Sequence, residues 1–315
     1  VAQAGGFISA TGDVKDAAKF YDEITSTDTQ GLVGTDYTKM INLLSNSDDY
    51  KFNVLITPGL YDTDYTTQLT SIISNTQNRG DNLFILDPVK HGMSITDVTS
   101  IAASRNTSYA ASYWPWVQVI DPDTGRQVWV PASTLMAGVF AYNDSVSEPW
   151  FAPAGINRGG LGQVVRPERK LAQATRDTLY TNKVNPIASF PGTGVVVYGQ
   201  KTLQTKSTAL DRVNVRRLLI AMKSYIAGVA QNLVFEQNSA ATRNNFLAQV
   251  NPYLEGIQQK QGLYAFKVVM DETNNTADVI DRNELIGQIY VQPTKTAEYI
   301  YLDFNVTPTG VAFPA

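Results

Sequence analysis

An aspartate and the single histidine of the chain have a spacing that could support acid–base chemistry. Asp87 precedes His91 by four residues in the segment DPVKHGM, so the carboxylate could orient the imidazole as a general base. A hydrolase built on this pair would also need a nucleophile, and no serine or cysteine motif of that kind accompanies it. We therefore interpret His91 as a loop histidine that follows a strand.

Two further segments share features with ligand-binding loops. The segment GINRGGLG (155–162) lacks both the Gly-Lys-Ser/Thr ending of a phosphate-binding loop and the dinucleotide-binding spacing, so we predict a hinge there. The segment DETNNTAD (271–278) is rich in oxygen ligands that could bind a cation weakly. It lacks the spacing of an EF-hand, and its residue types are typical of a hairpin turn.

Aromatic and acidic residues supply the remaining candidates. Four tryptophans lie close together in sequence, and since no basic residues interleave with them we predict domain core and not a base-stacking platform. They are Trp114, Trp116, Trp129 and Trp150. Asp87, Asp121 and Asp144 fall near the ends of predicted elements and would serve an unrecognised α/β hydrolase. This short inventory favours a structural or interaction role, without a cofactor or a metal site, over an enzyme.

Composition narrows the class of protein further. The 315 residues are 43% hydrophobic and 17% charged, which is typical of a globular chain long enough for two domains. A net charge of −4 gives no electrostatic case for nucleic-acid binding. The absence of cysteine excludes disulfides and thiolate sites. No apolar run approaches the roughly 20 residues of a membrane span, and no signal peptide is recognisable.

Strands and helices alternate in the first half of the chain. We predict strands over 52–56, 82–87 and 109–120 and helices over 62–79 and 94–105, with a shorter helix over 35–44 before them. Strand–helix alternation at this spacing implies a layered, largely parallel sheet with flanking helices, an α/β or mixed α+β fold. The hinge near Gly160 then suggests two domains, 1–160 and 161–315.

The rest of the chain contains further predicted elements. We expect a hairpin strand over 127–130 and a helix over 131–142, then a helix over 167–180 and an extended connector over 185–192. A helix over 242–259 and a strand over 263–270 follow. Residues 277–280 are predicted to pair back as a strand, and residues 284–291 to be helical and then extended.

A long helix after Asp211 carries the most regular pattern in the chain. Apolar residues recur at three- and four-residue intervals from Val215 to Leu233, which predicts a stripe that faces the core. Arg212, Arg216 and Lys223 project within about 40° of one another at the rim of this stripe. They form either a solvated helix flank or an electrostatic docking edge for an acidic surface of a neighbour.

The segment EYIYLDFNV (298–306) alternates strictly. Ile300, Leu302, Phe304 and Val306 face one way, and Tyr299 and Tyr301 face the other. A half-apolar strand of this kind could add to the sheet edge of another subunit, although most strands pair within their own chain. We predict that residues 297–315 carry an inter-subunit link.

Several ordered segments resemble contractile phage tail sheath proteins of the T-even type. GVVVYGQKTL (194–203), VNVRRL (213–218) and VFEQN (234–238) are similar to the family's G-x-V-V-W-G-x-R-T-L, I-N-V-R-R-L and V-F-E-P-N segments. Upstream, YWPWVQVIDPDTG (113–125), VPASTLMAGVFAYND (130–144) and PWFAPAG (149–155) resemble three others in the same order. Tyr198, Lys201 and Gln237 stand where the family often has Trp, Arg and Pro.

The resemblance implies a structural subunit with no active site. In this family, hexameric rings stack helically around a tail tube, bounded by baseplate and tail terminator proteins. Contraction then drives the tube through the host cell envelope, and arms from both chain ends complete a neighbour's sheet. The resemblance further implies the C-terminal half of a longer protein, located in the virion tail and assembled in the host cytoplasm. A sheath of a non-viral contractile injection system is the alternative of the same physical kind.

Overall fold

The structure, a computed structural model, describes residues 37–298, so the predicted arm residues Tyr299, Ile300, Tyr301, Leu302, Phe304 and Val306 lie outside it. The helices of the described range are α1 Tyr37–Leu44, α2 Thr66–Arg79, α3 Ile95–Ser104, α4 Ser133–Val146, α5 Gln173–Thr181, α6 Val213–Gln231, α7 Ala240–Gln259 and α8 Ala277–Asp281. The strands are β1 Val54–Tyr61, β2 Leu83–Asp87, β3 Ala110–Trp114, β4 Val117–Ile120, β5 Gln127–Val130, β6 Val164–Pro167, β7 Val184–Phe190, β8 Gly194–Val197, β9 Leu263–Val269 and β10 Gln288–Pro293.

The main sheet has the strand order β1-β2-β3-β7-β8, in which the first four strands are parallel and β8 is antiparallel. β2 and β3 are buried along their whole length, as expected for parallel strands covered on both faces. The prediction of a mixed α/β fold with a layered, largely parallel sheet is therefore confirmed.

Hydrophobic cores cover both faces of this sheet. One contains Leu69 and Ile72 of α2 with Val98 of α3, and the other contains Met136 and Phe140 of α4. A third core joins α6, α7, β9 and β10. The N-terminal part of α6 packs in the second core and its later turns pack in the third, so this helix connects the sheet to the C-terminal part of the chain.

The predicted strand over 109–120 is wrong as a single element. It consists of β3, in the main sheet, and β4, which pairs with β5 and β6 in a separate antiparallel sheet. The break falls at Pro115, whose ring nitrogen has no hydrogen to continue a ladder. The hairpin strand over 127–130 is confirmed as β5.

The segment 155–162 does not separate two sheets. The strands β7 and β8 follow it in sequence and still belong to the main sheet, so the predicted boundary near Gly160 lies within the stretch that builds that sheet. The segment lies along β8: Gly155 N donates to Val197 O at 2.8 Å, and Val197 N donates to Gly159 O at 2.8 Å. A Cβ on Gly159 would lie 2.8 Å from Val197 O, so the close approach requires glycine. Gly159 therefore serves contact with β8, and the hinge at this segment stays a prediction.

Other local predictions are also corrected. The predicted helix over 167–180 is shorter, since β6 runs through Pro167 and α5 begins only at Gln173. The connector over 185–192 belongs largely to β7.

The strand predicted over 277–280 is α8, and β10 is the strand that pairs with β9. The place beside β9 is taken by β10, and the loop between α8 and β10 is held by the side chain of Asn275. Its amide donates to Ile286 O and its carbonyl accepts from Ile286 N, both at 2.9 Å.

Candidate functional site

The residues that suggested catalysis have separate local roles. Asp87 is fully buried at the end of β2, where its carboxylate accepts hydrogen bonds from Ser133 N at 3.2 Å and Ser133 Oγ at 2.5 Å. His91 packs its ring against Trp129 and Trp116, with centroid distances of 4.9 and 5.6 Å. Asp87 thus caps the start of α4, and the structure gives no support to its proposed role of orienting His91.

The other two candidate carboxylates do not converge with Asp87. Asp121 accepts from Asp123 N at 3.2 Å and from Thr124 Oγ1 at 2.5 Å in its own turn. Asp144 pairs with Arg217 of α6 at 2.5 Å. Within residues 37–298 no group of three or more His, Asp or Glu side chains could hold a metal ion. The described residues therefore contain no assembled hydrolase site of the kind considered from the sequence.

Burial of Asp87 predicts an unusual dependence of stability on pH. Desolvation raises the pKa of this carboxyl from 3.8 to about 7, against the opposing effect of the Ser133 hydrogen bonds. Between these two pH values the folded protein retains a proton that the unfolded chain has released. The contribution of Asp87 to the free energy of unfolding is therefore full below about pH 4 and is lost as the pH rises through about 7.

The substitution Asp87→Asn should remove this dependence. We expect the variant to gain stability relative to the wild type by roughly 1 kcal/mol per pH unit between pH 5 and 7. Urea unfolding at several pH values would measure the difference. Parallel stability curves for the two proteins over this range would contradict the assignment.

Aromatic side chains mostly fill the core, as predicted. Trp114, Trp116 and Trp150 are buried, whereas Trp129 is partly exposed beneath the guanidinium of Arg166 at 5.4 Å. The oxygen-rich segment 271–278 uses its polar atoms locally, since Thr273 N donates to Asp271 Oδ1 at 2.9 Å.

The predicted cationic edge of α6 is partly directed into its own chain. Arg216 is buried, with its guanidinium 4.0 Å from the Tyr109 ring centroid and an Nη2 hydrogen bond to Ser108 Oγ. Burial lowers its pKa. Lys223 donates from Nζ to Arg79 O at the end of α2, at 3.0 Å. The description of Arg216 as a rim residue is therefore wrong, because helix projection cannot see that α2 and β3 cover this edge.

The third cation, Arg212, belongs to a cluster near the end of the described chain. Its Nε and Nη2 donate to the two carboxylate oxygens of Glu298 at 2.6 and 2.9 Å, a bidentate arrangement. Gln200 Nε2 donates to Thr296 Oγ1 at 2.6 Å. The pKa of Tyr180 is raised, chiefly because the side chain is buried and secondly because the charge of Glu298 lies nearby. We name Tyr180, Gln200, Arg212, Thr296 and Glu298 the anchor cluster.

The segment 294–298 is held at both of its ends. At its start, Thr294 Oγ1 donates to Gln261 O at 2.7 Å and Thr294 N donates to Gly262 O at 3.2 Å, beside the start of β9. At its end, Glu298 meets Arg212 immediately before α6. The segment therefore ties the third core to the edge of the main sheet. Sequence reasoning found Arg212 but missed its partner, although Glu298 opens the alternating segment.

The described residues thus form an α/β fold in which the segment 294–298 is anchored at both of its ends. Two family models match the chain in succession: "Phage tail sheath protein central domain" over residues 30–203 and "Phage tail sheath C-terminal domain" over residues 205–307. The chain belongs to the phage tail sheath family, a family of structural proteins and not of enzymes. The resemblance inferred from the sequence is confirmed.

Curated relatives agree with this assignment. The tail sheath protein of Vibrio phage KVP40 is 41% identical over 228 residues, which cover 72% of this chain and 33% of the relative. That of Enterobacteria phage T4 is 42% identical over 185 residues, or 59% of this chain and 28% of the relative. That of Salmonella phage ViI is 32% identical over 323 residues, or 95% of this chain and 51% of the relative. The chain spans about half the length of these relatives or less.

Solved structures share the fold. The PVC sheath complex of an extracellular contractile injection system, in its contracted state, matches with a TM-score of 0.73 and 24% identity over 85% of this chain and 74% of that one. The contracted helical sheath of the anti-feeding prophage matches with a TM-score of 0.69 and 24% identity over 87% of this chain and 76% of that one. At this identity the likeness establishes the fold alone. None of the helices in residues 37–298 combines the length and apolar character needed to cross a membrane.

Proposed function

We propose that this chain is part of a sheath subunit that polymerises around a tail tube and contracts to drive the tube through the host cell envelope. Membership of the tail sheath family supports this, and the fold is shared with sheath assemblies in their contracted state. The subunits form hexameric rings that stack helically, with the baseplate and a terminator at the two ends. The site of action is the virion tail, after assembly in the host cytoplasm.

The phage setting is favoured over a non-viral injection system. The curated phage relatives are 32–42% identical to this chain, whereas the injection-system sheaths are 24% identical. We also infer that the two-domain division lies near residue 204 and not near Gly160. The two family matches meet there, and β8, the last strand of the main sheet, ends just before.

The anchor cluster is the observation that carries the proposed mechanism. It fixes the chain as far as Glu298, where the half-apolar alternating segment begins. A segment that leaves a rigid point can act as an arm that joins the sheet of the next subunit. Residues 297–315 would then provide the inter-subunit link, through Tyr299, Ile300, Tyr301, Leu302, Phe304 and Val306.

The hairpin of β9 and β10 is a suitable acceptor on the neighbour. Two-stranded sheets are marginal by themselves and gain stability from a third strand. β10 exposes side chains in alternation, and both strands expose a tyrosine, Tyr264 in β9 and Tyr290 in β10. In this mechanism the main-chain hydrogen bonds of the added strand link subunits while the bodies on either side move.

A docking role for Arg212, Arg216 and Lys223 remains a prediction, now in a reduced form. Arg216 is committed to Tyr109 and Ser108, and Arg212 to Glu298. Lys223 is exposed along its stem and lines a groove with Lys51 and Arg79. It is therefore the member of the edge best placed to face an acidic surface of the tube or of a neighbour.

Electron microscopy of the full-length subunit, mixed with purified tail tubes, tests the proposed function. We expect helical sheaths around the tubes, together with shortened, wider sheaths after a contraction trigger such as mild denaturant. Subunits that remain dispersed at all concentrations, with or without tubes, would refute it.

A further inference from the structure

The turn between α6 and α7 holds an aromatic side chain in an exposed position and with an unfavourable backbone conformation. Phe235 is fully exposed, and Val234 beside it is 59% exposed. The backbone of Phe235 has a φ of 71°, in the left-handed region that glycine and asparagine occupy most cheaply. A bulky residue there strains the backbone, and Phe235 gains no burial against the residues that the structure describes.

The turn is nevertheless held in place on both sides. On one side, Leu233 packs against the third core. On the other, Asn238 Nδ2 donates to Glu284 O at 2.8 Å and Asn238 Oδ1 accepts from Arg243 Nη1 at 3.0 Å. Phe235 therefore projects from a turn that is held rigidly. An aromatic side chain that is preorganised in this way loses little entropy on binding.

An aromatic groove lies at the opposite end of α7. Its volume is about 430 Å³, and its apolar lining consists of Trp150, Phe151, Leu263 and Tyr264. The guanidinium of Arg158 lies 5.2 Å from the Phe151 ring centroid, and Tyr264 is 63% exposed. Edge-to-face and offset contacts make such a groove a suitable receptor for another aromatic ring.

Phe235 and the aromatic groove belong to one chain but cannot contact each other within it. Phe235 precedes the first residue of α7, whereas Gln258 and Gln261 at the other end of this 20-residue helix line the groove. A helix of that length spans about 30 Å. Contact between the two features therefore requires two molecules.

We propose that Phe235 of one subunit inserts into the Trp150–Tyr264 groove of a second copy of this chain. The proposal rests on the proposed function, because an assembly made of copies of one chain is what brings the two surfaces together. Phe235 and the groove lie at different places on the surface, so their contact between two copies is heterologous. Such a contact propagates into rings or helices and does not close as a two-fold dimer. The groove also borders residues 294–296, so the docked ring would lie beside the anchored segment that leads into the proposed arm.

The variant Phe235→Asn separates this role from a structural one. Asparagine tolerates the left-handed backbone, so the melting temperature of the dispersed subunit should stay the same or rise. The critical concentration for polymerisation should increase at least tenfold, as expected for loss of a central aromatic anchor. The groove variant Tyr264→Ala, at an exposed position, should have the same effect. The double variant should be no worse than either single one, since both remove one contact.

Cysteine pairing identifies the occupant directly. The chain has no native cysteine, so the double variant Phe235→Cys/Tyr264→Cys, polymerised above its raised critical concentration, should give a ladder of disulfide-linked oligomers on oxidation, and each single variant should not. If wild-type subunits form no sheath, the proposed function fails and this proposal falls with it. If they form a sheath and Phe235→Asn polymerises equally well, this proposal alone is wrong. Loss of polymer in Phe235→Asn, with a neutral Tyr264→Ala and no ladder, would mean that Phe235 contacts a different surface, and it would overturn the assignment to this groove.

Discussion

A subunit from which residues 299–315 are deleted is expected to fold normally and to form no sheath. The deletion leaves the anchor cluster intact, because Glu298 still receives both hydrogen bonds from Arg212. The melting temperature should therefore stay within roughly 2 °C of the wild-type value. Polymerisation, followed by sedimentation and electron microscopy, should be lost, since the deletion removes the proposed arm.

Two companion variants separate the arm from its anchor. Leu302→Pro in the otherwise intact chain should reproduce the loss of polymer, because proline cannot donate to a ladder, whereas Leu302→Val should retain it. A deletion that begins at Thr294 should in addition lower the free energy of unfolding by about 1–3 kcal/mol, since it removes the bidentate Glu298 partner of Arg212 and leaves only Asp211 beside this side chain. Sheaths of normal length from the 299–315 deletion would show that the link lies elsewhere.

Regular local patterns accounted for most of the fold. The apolar spacing from Val215 to Leu233 predicted α6 and its packing, because a long amphipathic stripe has one stable solution. Val215, Leu218 and Met222 are buried, although Tyr225 of the same stripe is 41% exposed. The continuous apolar run at 82–87 likewise predicted β2. Where the pattern of neighbouring residues alone specifies a helix or a strand, the sequence is sufficient to predict that element.

The failures occurred where distant residues determine the outcome. Gly159 looked like part of a flexible joint, and only the nearby Val197 O shows that the glycine permits close contact with β8. Val279 and Ile280 favour a strand by residue type, but β10 takes the place beside β9 and they lie in α8. These contacts join segments whose proximity no local pattern encodes.

The anchor cluster illustrates the same limit at the functional level. Tyr180 lies in α5, Gln200 and Arg212 lie in the connection between β8 and α6, and Glu298 is 86 residues beyond Arg212. Helix projection placed Arg212 correctly at the start of α6 but assigned it to a surface edge. A single carboxylate at the start of an alternating segment gives no sign of its partner. The sequence shows which residues carry charge, but only the folded structure shows which of them form a pair.

A second large effect, a loss of stability, is expected when the buried ion pair between Arg105 and Asp62 is broken. Arg105, just after α3, donates from Nε and Nη2 to the two oxygens of Asp62 at 2.8 and 2.5 Å, and from Nη1 to Thr70 Oγ1 at 2.7 Å. The Asp62 side chain is only 3% exposed. Arg105→Met would leave that carboxylate buried and unpaired, so the free energy of unfolding should fall by about 3–5 kcal/mol. Urea unfolding would measure the loss.

A surface pair of the same chemistry provides the control. Arg282 pairs with Asp278 at 2.7 Å, but both side chains are more than half exposed, and Arg282→Met should cost no more than about 1 kcal/mol. The double variant Asp62→Asn/Arg105→Met should recover much of the loss, because the penalty comes from the stranded charge and not from the missing attraction. A double variant as unstable as Arg105→Met alone would instead assign the loss to the packing of the arginine between α2 and α3. The ion pair would then matter to the sheath subunit as a spacer between helices and not as a pair of compensating charges.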